Sequence, residues 1–142
     1  NAMNLTEFVD SLNLSLEDLS YTRKNGHIKG ITNILLKHLS KLTPIERPIH
    51  CSDIKTLKFF VKEDNQWDEN QNQVNETIDT ISQKQIKQIS EWEHTHPNWK
   101  DSEKGFEMYI DMVKEVIGEH TDKKYELIKQ GVSKHIDINN VI

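Results

Sequence analysis

Alanine occurs once in the 142 residues, at Ala2, and cysteine once, at Cys51. A single cysteine closes no internal disulfide, which excludes a disulfide scaffold and fits a reducing compartment inside a cell. Arginine is nearly as scarce, with Arg23 and Arg47 the two present, so lysine carries the positive charge. Hydrophobic residues make up 35% of the chain and no apolar run reaches membrane-spanning length, so no helical membrane partner is expected. No signal-peptide pattern opens the chain. Asn1-Ala2-Met3 reads as the scar of a removed tag, leaving 4–142 as a single domain long enough to bury a core. A Gly-rich phosphate loop, a Cys-x-x-Cys pair and paired carboxylates at a catalytic spacing are all missing, as are internal repeats and low-complexity tracts. No cofactor, no metal site and no enzymatic activity are therefore expected.

What is there is charge, unevenly placed. Charged residues are 29% of the chain and the formal net charge is −5. Residues 20–62 hold nine Lys/Arg against Glu46 and Asp53, a balance of +7, and the remainder carries −12. Such a split suits an anionic partner for the basic part, or pairing of basic and acidic faces within or between chains.

Hydrophobic spacing predicts helices over about 4–14, 16–24, 27–42, 72–95, 102–117 and 122–135. Leu5, Phe8, Val9 and Leu12 share a face in the first. Ser15 and Asp18 form a capping-box variant at the start of the second, and Gly26 ends it. Ile28, Ile31, Leu35, Leu39 and Leu42 line the third, which Pro44 stops. Val74, Ile78, Ile81, Ile89 and Trp92 line the fourth. The fifth is expected to bury Phe106, Tyr109, Ile110, Val113, Val116 and Ile117, and the last uses Tyr125, Ile128 and Val132. Between them, Leu57–Lys62 is β-rich, Glu63-Asp64-Asn65 is a turn signal before Gln66-Trp67, and Pro48–Cys51 reads as a third strand. The expected class is α+β, predominantly helical, with five or six helices and one small β-hairpin of two or three strands. Three helices followed by a hairpin is a winged-helix-like order. A basic helix–hairpin part (about 14–68) precedes an acidic helical part (about 72–136).

Specific residues carry a resemblance. Leu14, Leu16-Glu-Asp-x-x-Tyr21, Asn25-Gly26, Ile28-x-Gly30-Ile31-x-Asn33-Ile34, the block Arg47-Pro-Ile-His-Cys-Ser-Asp53, Phe60-Val-Lys62 and Trp67 stand in one order. With Lys84-Gln-Ile86, Trp92 and His96-Pro97-Asn-Trp99, they resemble a recurrent segment of uncharacterised proteins of giant DNA viruses of the mimivirus type. The likeness covers roughly residues 14–105, and the abundance of Ile, Lys and Asn fits an AT-rich source. Thr56 stands where that family commonly has a second basic residue. The resemblance implies a viral accessory or recognition module of no known activity, working in the host cytoplasm or viral factory. It supplies no catalytic residues.

Lys29, Asn33, Lys37 and Lys41 fall at i, i+4, i+8 and i+12, opposite the apolar face of the third helix. With Arg47, Lys58 and Lys62 they form the candidate nucleic-acid-binding set, since Lys neutralises phosphates and Asn hydrogen-bonds phosphates or base edges. The plainer reading is the solvated face of an amphipathic helix. The alternative function is a protein-interaction or oligomerisation module, joining copies of the chain or another viral protein. His50 and Cys51 are strand neighbours and point to opposite faces, so they form no catalytic pair. His94 and His96 lack an evident third metal ligand. Trp67, Trp92 and Trp99 read as packing anchors before they read as base-stacking platforms.

Overall fold

The structure, a computed structural model, describes residues 2–119 and 121–140. Among them the order is α1 (Leu5–Asp10), α2 (Leu16–Asn25), α3 (His27–Leu39), β1 (Ile49–Asp53), β2 (Lys58–Glu63), β3 (Gln66–Glu69), α4 (Gln71–Thr95), α5 (Glu103–Ile117) and α6 (Lys123–Ser133). The α+β, predominantly helical class expected from the sequence is the class found.

Local chemistry sets the boundaries. At the start of α2 the Ser15 hydroxyl accepts from the Asp18 N–H, while the Asp18 carboxylate accepts from the Ser15 N–H. That reciprocal box satisfies two backbone donors that a bare helix start would leave open. Gly26, at φ 97°, separates α2 from α3 in a conformation that costs other residues a Cβ clash. Asp64 and Asn65 both have positive φ and form the two-residue turn of the β2–β3 hairpin, which pairs Glu63 with Gln66. The hairpin in turn holds α1: both oxygens of Glu63 accept from Thr6, and Asn4 Oδ1 accepts from the Asn65 N–H.

The three strands form one antiparallel sheet with β2 in the centre. Its inner face presents Ile49, Cys51, Phe59 and Val61 to the main core, where they meet α1, α3, α6 and the first half of α4. Burial of these apolar side chains is the dominant favourable term for the fold. The basic and acidic parts of the sequence do not separate, since both contribute to this core. A second, smaller cluster joins Leu19 of α2, Trp92 of α4, and Met112 and Val116 of α5. The 25-residue α4 bridges the two, with Val74, Ile78 and Ile81 in the first cluster and Trp92 in the second. Gln85, fully buried between them, exchanges hydrogen bonds with Thr22.

Two expectations need correction. Helix α3 ends at Leu39, so Lys41 lies past its end and the basic stripe is one turn shorter than the spacing implied. Helix α5 does not bury its whole apolar set: Phe106, Ile110 and Ile117 remain 50%, 48% and 40% exposed.

Candidate functional site

The seven cationic and amide residues singled out by the sequence do not converge on one open flank. Lys37 donates to the Asp18 carboxylate at 2.9 Å, in the one ion pair found among the described residues. Asp18 is 3% exposed. Burial pushes its carboxyl pKa up, yet the hydrogen bonds from Ser15 and Lys37 outweigh burial and hold it below the ordinary carboxylate value. Arg47 is also used internally: Nε donates to the Leu39 carbonyl and Nη1 to the His135 carbonyl, tying the end of α3 to the C-terminal segment. Lys62 Nζ donates to the Ala2 carbonyl. Asn33 is half-buried. Lys29, Lys41 and Lys58 are exposed, but on separate parts of the surface: the start of α3, the segment after it, and the sheet. Asp18 lies just outside the 20–62 window, so a charge count by segment could not reveal it as the partner of Lys37.

The cysteine and histidine readings resolve by geometry. Cys51 is fully buried on the inner face of the sheet, and burial pushes its thiol pKa up, away from a reactive thiolate. His50 stands on the other face, its ring 5.4 Å from that of Trp67. His96 stacks on Trp92 at 4.3 Å. Among the described residues no three His, Cys, Asp or Glu side chains come together as a metal site.

What the sequence reading missed is a surface on α5. By helix geometry Phe106, Ile110, Val113 and Ile117 fall within about 60° of one another. Met112 and Val116, on an adjacent face, are buried against α2 and α4. The helix is thus apolar over two faces, and only one has an internal partner. An aromatic corner fixes its N-terminal end. Trp99 stacks on Tyr109 at 3.9 Å and on Phe106 at 6.1 Å, and Trp92 meets Tyr109 at 6.1 Å. Ser102 caps the helix by accepting from the Gly105 N–H. Phe106 is therefore held in place while half-exposed, the arrangement of a preformed anchor. The signal was present in the sequence as an apolar arc too wide for a single packing partner.

Comparisons with protein-family models, with curated proteins and with solved structures give no match to this chain.

Proposed function

We propose that this chain is a non-enzymatic interaction module that self-associates through α5. The observation that carries the reading is the exposed apolar stripe Phe106, Ile110 and Ile117, with half-buried Val113 between them, on a helix whose other face is packed. Contiguous exposed apolar surface of this kind marks an interaction site. The occupant is a second copy of the chain. Antiparallel pairing about a two-fold axis near Asp111 and Met112 sets Phe106 opposite Ile117 of the other copy, and Ile110 opposite Val113. The same pairing brings Glu107 close to the level of Lys114, so opposite charges flank the seam twice.

Magnitudes make this a weak dimer. Burying the exposed part of Phe106, Ile110 and Ile117 contributes about 1 kcal/mol each, or about 6 kcal/mol for the six side chains of two copies, against an association cost of at least about 4 kcal/mol. A dimer that depends on concentration is the expected outcome. Ile110→Asp places a charge in the seam without touching the core. It is expected to abolish dimerisation, read by light scattering, while leaving the melting temperature of the dilute monomer nearly unchanged, read by circular dichroism. Dimers that persist in Ile110→Asp would refute the α5 seam.

Nucleic-acid binding through the 20–62 region is the second reading, favoured by the exposed Lys29, Lys41 and Lys58. With Lys37 and Arg47 engaged internally, fewer phosphate contacts are left to it. Duplex DNA affinity should fall steeply between about 50 and about 200 mM salt if phosphates are bound. Absence of binding at the lower salt would remove this reading.

A further inference from the structure

A cleft of about 500 Å³ opens between the turn that precedes β2, the start of α4, and α6. Its rim is acidic. Glu69, Asp122 and Glu126 line it, and all three are exposed. Lys58, also exposed, and Lys129 are the cations of the lining, which therefore carries one net negative charge.

Lys129 is unlike the rest. It is 9% exposed, yet it makes no hydrogen bond, ion pair or ring contact among the described residues. Glu126 stands one turn earlier on the same side of α6, but the two are farther apart than an ion pair allows. Burial, with no offsetting charge, holds the Lys129 pKa below the ordinary lysine value.

The ammonium is not sealed in. The unpartnered side-chain atoms that water cannot reach belong to His27, His38, His50, Asn75 and Gln88, and Lys129 Nζ is not among them. What remains exposed of Lys129 therefore includes Nζ, and Lys129 lines the cleft. Asn75 lines the same cleft but keeps its Oδ1 out of reach, so Lys129 is the group a ligand meets. A buried ammonium without an acceptor is costly, and the partner it lacks is one that a ligand can bring.

We infer that the cleft binds a small zwitterion, a free amino acid or a short peptide, with the ligand carboxylate on Lys129 and the ligand ammonium among Glu69, Asp122 and Glu126. A plain anion would meet three carboxylates on its way to Lys129. A plain cation would leave Lys129 without an acceptor. One molecule carrying both charges answers both ends of the cleft. Leu57 and Tyr125, both half-buried, give it an apolar wall. The Tyr125 hydroxyl already donates to Asp79 at 2.7 Å, which holds the ring in place. An apolar side chain on the ligand suits that wall.

Titration calorimetry of the full chain at pH 7 with L-leucine, leucylleucine, 4-methylpentanoate and isoamylamine tests this. The last two are leucine without its ammonium and leucine without its carboxylate. At least one of the two zwitterions should bind about tenfold tighter than either single-charge analogue, and the tighter of them identifies the source. Lys129→Met keeps the buried stem and removes the ammonium. It should weaken that zwitterion about tenfold and leave isoamylamine unchanged. If this variant does not fold, the exposed pair Glu69→Gln with Glu126→Gln carries the test. That pair should weaken the zwitterion by a similar factor and leave 4-methylpentanoate no weaker. Binding of neither zwitterion, binding of 4-methylpentanoate as tight as the zwitterions, or zwitterion binding unaffected by these changes overturns the proposal. No residue of α5 lines the cleft, so Ile110→Asp leaves it intact and the two proposals fail separately.

Discussion

Asp18 does three things with one carboxylate. It completes the α2 capping box, pairs with Lys37 of α3 and sits almost fully buried. Removing it as Asp18→Ala takes away the cap and leaves the Lys37 ammonium unpaired. The expected loss is about 1–3 kcal/mol of stability by urea denaturation. Lys37→Met keeps most of the apolar stem and removes only the charge. Because that ammonium is partly exposed, the pair is screened, and a loss under about 1 kcal/mol is expected. Equal losses for the two would show that the ion pair outweighs the cap. Gly30 is a second site of this kind. A Cβ there would stand 2.1 Å from Thr22 Oγ1, so α2 and α3 cross where only glycine fits. Gly30→Ala should cost about 1–3 kcal/mol, and Thr22→Ala in the same chain should recover part of it. Failure of that recovery would place the strain elsewhere.

At the scale of elements, period and caps were enough for most of the chain. The Ser15–Asp18 box, the Gly26 break, the Asp64-Asn65 turn and the extended Pro48–Cys51 reading follow from local chemistry, and local chemistry is what one sequence displays. Helix α5 shows where that stops. Its period says which residues share a face, but not how many neighbours will cover the face. At the corner formed by α2 and the far half of α4 there is room to cover one side, so Met112 and Val116 are buried and Phe106, Ile110 and Ile117 are not. The basic stripe fails for a related reason. Spacing placed Lys37 correctly on the polar side of α3, but the side chain's partner comes from another helix. Arg47 serves the fold by holding the Leu39 and His135 carbonyls.

For the whole molecule, protonation sets a direction that acid should reveal. His27, His38 and His50 all have pKa values held down by burial, with Lys124, Lys41 and Arg47 adding to the effect respectively. A histidine depressed in the folded state leaves the unfolded chain with more bound protons once pH drops below the ordinary histidine value. Stability is therefore full above that value and falls as pH is lowered through it. Asp18, also depressed, adds a second loss below the ordinary carboxylate value. The melting temperature should decline from about pH 7.5 to about pH 5.5, and further in stronger acid. A flat or rising profile would mean that these imidazoles are solvated. Sedimentation equilibrium of the wild type and Ile110→Asp from about 10 μM to about 1 mM tests self-association through α5 most directly. The wild type should move from the mass of one chain towards twice that mass as concentration rises, while Ile110→Asp stays at one. A wild type that remains monomeric at the highest concentration, or a variant that associates equally well, would contradict the account.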